Sequence, residues 1–195
     1  MERRATDWRS TAVDWSGAAA VCVTVGGIML ATVLSPTFSW THAPLSELGV
    51  EPGVAWIFNG GLVGGALIGL PFAYAIATEI SGWKHSVIGV TLAVGLCFMA
   101  AVGVFPMDSP LHSPVAVAFY LTVTALFAID GLLRLRTRAG KISLAFVPIH
   151  MLGWILWGAG YFPGPGLALP ELYGALLFSI WVIVLSPKAV VSIET

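Results

Sequence analysis

The chain has 195 residues, of which 57% are hydrophobic and only 10% charged, and its formal net charge is −1. Soluble domains carry roughly 25% charged residues, so a chain of mean hydropathy +0.90 cannot clothe itself in a water-compatible surface. The near-neutral balance excludes a basic nucleic-acid-binding surface, and the class that remains is an integral membrane protein. The two cysteines, Cys22 and Cys97, fall inside apolar runs and read as small packing residues rather than a disulfide or a metal knot.

A bilayer core needs about 20 apolar residues per helix, and six runs approach or meet that length. The first, Trp15 to Leu34, follows Arg3, Arg4 and Arg9. It is too long for a cleaved signal and lacks a small-x-small cleavage site, so it reads as a spanning anchor. A polar connection then holds Pro44-Leu45-Ser46-Glu47-Leu48-Gly49. Pro44 suits the first turn of a helix and Gly49 the left-handed position that ends one, so the segment is expected to be a single ordered helical turn. The second run is Val54 to Ala77, with Asn59 about one and a half turns inside it. Gly60, Gly61, Gly64, Gly65 and Gly69 supply overlapping small-xxx-small pairs, which favour close packing within one bundle over a dimer face.

After the connection from Ser81 to Ser86, the third run extends from Val87 to Phe105. Next comes a polar loop through Asp108 and His112, and Ser113 followed by Pro114 predicts the start of the fourth run, which reaches Leu133. Asp130 and Arg134, four apart at its end, predict a local ion pair. The fifth run, Ile142 to Ala159, contains His150 near its middle, with Trp154 and Trp157 on the same face. The sixth begins near Pro170 and fades around Pro187, the shortest of the set.

The nine Lys and Arg residues are Arg3, Arg4, Arg9, Lys84, Arg134, Arg136, Arg138, Lys141 and Lys188. All lie in the N-terminus, the second or fourth connection, or the C-terminal tail, and the first, third and fifth connections have none. Read with the positive-inside rule, this predicts a single all-α domain over residues 1–195. It is a bundle of six transmembrane helices in the cell membrane, with residues 1–13 and 188–195 cytoplasmic.

The outer side then collects His42, Ser46, Glu47, Glu51, Asn59, Asp108, His112 and Glu171 with no cation beside them. Carboxylates and imidazoles can serve as acid, base or metal ligands, which makes Glu47, Asp108 and His112 the catalytic candidates. Pro110 separates Asp108 from His112, however, and no His-Glu-x-x-His or paired-cysteine spacing exists, so neither a metal nor another cofactor is expected. Buried Asn59 needs a partner: a neighbouring helix backbone, or the Ser46–Glu47 turn that it would then pin. His150 is a functional candidate as an intramembrane ionisable group, although a neutral imidazole is inexpensive to bury with one hydrogen bond and a structural role is favoured. Because the second and third spans are joined by a short loop, the two flanking outer connections should meet. The expectation is a polar lock in which Ser46 and Asn59 fix the turn and His112 bridges to Glu47 or Asp108.

Two motifs, His42-Ala43-Pro44-Leu45-Ser46-Glu47-Leu48-Gly49 and Val102-Gly103-Val104-Phe105-Pro106 with Asp108 and His112, resemble those of the prokaryotic membrane family called domain of unknown function 998. More distantly the chain is similar to the six-span autophagy-modulator and GPI-lipid-remodelling families, which carry a Ser-Asp-x-Gly turn after the first span. Here Glu47 stands where an Asp is more usual. The nearer family brings no activity with it, and the distant ones imply lipid handling by analogy. The expected function is therefore binding of membrane lipids or a membrane partner through Ser46, Glu47, Asn59, Asp108, His112 and His150. The alternatives are a lipid head-group enzyme and a small transporter.

Overall fold

In the computed structural model, which describes residues 3–194 and the side chains of residues 12–190, the described chain is helical throughout. The helices are α1 (Arg3–Leu34), α2 (Ala55–Thr78), α3 (Trp83–Val104), α4 (His112–Leu133), α5 (Arg138–Gly158), α6 (Ala168–Ile180) and α7 (Pro187–Glu194). A 3-10 turn at Leu45–Gly49 precedes α2, and a π turn at Trp181–Leu185 joins α6 to α7. Six helical segments are long and apolar enough to cross a membrane. The sixth, Ala168–Val190, has 23 residues and is not the shortest, as the composition around Pro187 suggests; the fifth has 21. The extra length comes from the π turn, which carries the helix on to Ser186. There the Ser186 hydroxyl accepts the Ala189 N–H at 3.3 Å and starts α7 with Pro187 in its first turn.

Helices adjacent in sequence are adjacent in space, with α1 on α2, α2 on α3, α3 on α4 and α4 on α5. In lipid no hydrophobic effect drives helices together, so close approach depends on small residues. A side chain at Gly61 would stand 3.1 Å from the Gly27 Cα, and one at Gly89 would stand 2.6 Å from the Ala73 carbonyl oxygen. The small-xxx-small pattern of α2 thus packs within this bundle: Gly61 and Gly65 face α1 and Gly69 faces Leu96 of α3, while Gly60 faces open space. Cys22 and Cys97 are not packing residues after all; both are free and exposed on the outside of the bundle.

The sixth span is held differently. Asp130, fully buried, accepts two hydrogen bonds of 2.5 Å from Arg134, as the i,i+4 spacing predicts. The pair also reaches 51 residues along the chain, where the buried Trp181 indole donates to Asp130 at 3.0 Å and Arg134 donates to the Leu185 carbonyl at 2.5 Å. A π turn leaves carbonyls without helical partners, and the guanidinium supplies one. At the same end Lys188 pairs with Asp14 and with Glu79, each at 2.6 Å, so α1, α2 and the start of α7 converge there.

Removing one member of a buried ion pair strands the other. Asp130→Leu should therefore cost about 3 kcal/mol, and the double change Asp130→Leu with Arg134→Met should recover most of that loss. Denaturant unfolding in detergent reads both values. Equal loss in the single and double variants would show that the charges are not coupled.

Candidate functional site

The first connection folds back over the bundle. Pro44 is extended (φ −77°, ψ 156°) and stands just before the 3-10 turn rather than inside it. Gly49 does not have the left-handed backbone that the turn motif suggests; among the described residues only Gly53, Gly82, Gly160 and Gly164 have positive φ. Glycine is needed at 49 for space, because a Cβ there would lie 2.6 Å from Asn59 Oδ1. The Asn59 amide donates to the Gly49 carbonyl at 2.8 Å, so Asn59 pins the turn rather than a neighbouring helix.

A 3-10 turn sends successive side chains to different sides. Ser46 is buried at 7% exposure while Glu47 faces out. Asp108 is likewise exposed, and neither carboxylate makes a side-chain hydrogen bond among the described residues. His112 is buried and opens α4 itself, one residue before the expected Ser113 cap, with its Nδ1 2.8 Å from the Phe105 carbonyl. A carbonyl can only accept, so Nδ1 carries the hydrogen, and when the ring carries no second proton Nε2 is an acceptor. The expected bridge from His112 to Glu47 or Asp108 is therefore replaced by a bond to the backbone, and Ser46 does not fix the turn: its hydroxyl has no partner among the described residues. Of the other polar residues at this end, Glu51 accepts from the Ser35 hydroxyl at 2.5 Å and His42 lies 2.8 Å from the Thr41 hydroxyl.

Glu171, in the first turn of α6, accepts the Leu45 backbone N–H at 2.6 Å across 126 residues. The Tyr120 hydroxyl donates to the Glu171 carbonyl at 3.1 Å and ties α4 to the same turn. Residues 41–43 also pair with the fifth connection through Gly166 N–H to Thr41 O (2.9 Å) and Ala168 N–H to Ala43 O (3.0 Å). The first connection thus meets the fifth and the start of α6. Ser46 of this connection and His112 at the start of α4 line one cavity.

That cavity, of about 80 Å³, is walled by α1, α2, α3, α4 and α6. Its lining on α1 runs from Gly17 to Ile28, a rise of about 16 Å, so it is a narrow slot. The walls are apolar, with Phe72, Leu96, Phe119 and Phe178 among them, and Ser46, His112, Tyr120 and Glu171 cluster at the end that carries no Lys or Arg. Along its other edge α1 meets the sixth span chiefly at the π turn, which leaves the slot between α1 and α6.

His150 stands apart. It is fully buried between the rings of Tyr120 and Phe127, with Nδ1 2.9 Å from the Thr124 hydroxyl. That hydroxyl already donates to the Tyr120 carbonyl at 3.0 Å, so it accepts from Nδ1–H; Nε2 has no partner and faces Gly174. His150 does not line the slot. On the same helix Trp154 packs on Tyr120, and Trp157 donates to the Gly166 carbonyl at 3.0 Å. Among the described residues no three His, Cys, Asp or Glu side chains cluster as a metal site would.

Since Gly49 and Asn59 share one tight contact, Gly49→Ala should destabilise the protein by about 1–3 kcal/mol. Adding Asn59→Ala removes the clashing atom, so the two changes should combine with at least ~0.5 kcal/mol of non-additivity in thermal or denaturant unfolding. Strict additivity would mean that the turn is not seated on Asn59.

No match was found among curated proteins or among solved structures. A family model described as protein of unknown function (DUF998) matches residues 18–187, from the first span to the start of α7 and including every residue of the polar cluster. The chain therefore belongs to the DUF998 family of membrane proteins, as its two motifs suggest.

Proposed function

We propose that this protein resides in the cell membrane with both termini cytoplasmic, and that it binds a membrane lipid. The lipid tail would occupy the slot between α1 and α6, and its head would lie at Ser46, His112 and Glu171. The slot carries the reading: it is apolar along its length, polar at one end, and placed among the spanning helices. Ligand sites have this composition in general, a mostly apolar wall with a few placed polar groups that fix orientation. A head-group enzyme built on Glu47, Asp108 and His112 has less support, because only His112 lines the slot. A transporter would use paired ionisable groups near the midplane, whereas His150 is paired with a threonine.

Native mass spectrometry of protein purified in mild detergent should find a retained lipid. Ala116→Phe, which places a ring in the slot, should lower its occupancy about tenfold with the fold intact. Undiminished lipid on the filled variant would remove the slot from the reading.

Orientation is tested separately in a background without Cys22 and Cys97. Cysteine introduced at exposed Asp108 or Tyr161 should react with an impermeant reagent applied to intact cells, and cysteine at exposed Leu135 should not. Labelling at position 135 in intact cells would reverse the proposed orientation.

A further inference from the structure

The polar end of the slot is unbalanced in two ways, and together they define the head group it would accept. This step rests on the lipid-binding reading above. The first imbalance is one of hydrogen-bonding capacity. Glu171 uses one carboxylate oxygen for the Leu45 N–H and keeps the other unpaired. His112 uses its Nδ1–H on the Phe105 carbonyl, so a ring without a second proton offers Nε2 as an acceptor. The Tyr120 hydroxyl hydrogen is already committed to the Glu171 carbonyl. Ser46, more than nine-tenths buried and without a partner, is the remaining polar group of this cluster and can donate or accept. The cluster therefore offers more acceptors than donors.

The second imbalance is one of charge. All nine Lys and Arg residues belong to the other end of the bundle or to the N-terminal segment, so no cation stands beside Glu171 to meet an anionic head. A phosphate or carboxylate placed here would meet the Glu171 carboxyl and further acceptors with no cation to offset its charge, in a site shielded from water, where an uncompensated charge and unpaired polar groups are least tolerated.

We infer that the slot selects an amphiphile whose head is a hydrogen-bond donor without negative charge, an alcohol or an amine, and rejects anionic lipids of the same chain. The head would donate to the free Glu171 oxygen and to His112 Nε2, and Ser46 would complete the set.

The test uses probes that share one chain and differ in the head: oleyl alcohol, oleylamine and oleyl sulfate. Each is titrated onto the full-length protein in phosphatidylcholine nanodiscs and read by native mass spectrometry, with empty nanodiscs correcting for partition. Oleyl alcohol and oleylamine should bind at least about tenfold more tightly than oleyl sulfate. Glu171→Gln, which keeps the shape and supplies a donor, should narrow that gap. Because Glu171 also anchors Leu45, a second variant, Ser46→Ala, breaks no existing bond and should weaken oleyl alcohol binding by about three- to tenfold with unchanged melting.

Equal binding of the three probes would overturn the head-group assignment while leaving the lipid-binding reading in place, and so would tighter binding of the sulfate. A preference for the alcohol and amine that survives unchanged in both variants would overturn the roles of Glu171 and Ser46. Binding of none of the probes would overturn the lipid-binding reading, and this inference with it.

Discussion

The carboxylate of Glu171 accepts the Leu45 backbone N–H at 2.6 Å, and much of the architecture at the cation-free end depends on that one bond. It joins the connection after the first span to the first turn of the sixth, 126 residues later. A backbone N–H buried at this depth must be paired, and a carboxylate makes a stronger acceptor than a carbonyl. With Leu45 anchored, the 3-10 turn lies flat over the bundle, its Gly49 carbonyl meets Asn59, and Ser46 is turned inward. The hydrogen-bonded segments 41–43 and 166–168 extend the same closure. Gly164, at φ +86°, lies against Thr41 with no room for a side chain.

The two ends of the bundle solve the attachment of the sixth span by the same means. Neighbouring helices from α1 to α3 pack through glycines that let backbones touch, and Gly131 against Leu144 does this for α4 and α5. The sixth span meets α4 and α5 at Gly174 and Gly153 and is also tied by polar links at its extremities: Glu171 with Leu45 and Tyr120 at one end, and Trp181 and Leu185 with Asp130 and Arg134 at the other. Between these fastenings α1 and α6 are free to stand apart. The slot is a consequence of that arrangement, since helices joined at their ends need not close along their length.

Span number, the asymmetry of the basic residues and the family were legible in the sequence, because apolar run length and loop charge are local properties. The site was only partly legible. Ser46, Asn59 and His112 are recoverable from their position at the mouth, but the expected partner of His112 was a carboxylate and the actual one is the Phe105 carbonyl seven residues back. Glu47 and Asp108 look equivalent to Glu171 by composition. What separates them is direction: Glu47 sits on the outer side of a tight turn, and Glu171 in a helix that points it at Leu45. The sequence signal for Glu171 is the likeness of Leu169-Pro170-Glu171-Leu172 to Leu45-Ser46-Glu47-Leu48, four residues that are too few to distinguish a repeat from chance. The link from Asp130 to Trp181 has no such signal. Its partners are 51 residues apart, on helices whose relative rotation no periodicity specifies.

An unfilled apolar slot is costly, and the sequence keeps it open with small residues. At ~24 cal/mol per Å³ a cavity of about 80 Å³ costs on the order of 2 kcal/mol, a sizeable fraction of ordinary domain stability. Gly17, Ala20, Gly69, Ala116 and Ala175 line it, and larger side chains at several of these positions would fill it. The limits are set by rigid neighbours in two cases: a Cβ at Gly17 would stand 3.1 Å from the Phe72 ring, and one at Gly69 would stand 3.1 Å from Leu96. Ala116 and Ala175 have no comparable reason to be small, since both face the slot. A chain selected for stability alone would place larger apolar side chains at these positions. An occupant of the proposed kind would restore the missing dispersion contacts from outside the chain, and the unpartnered Ser46 hydroxyl at the polar end would give it a fixed direction. The void is the destabilising element in an empty protein, and an amphiphile of the proposed kind would fill it and pair the hydroxyl at the same time.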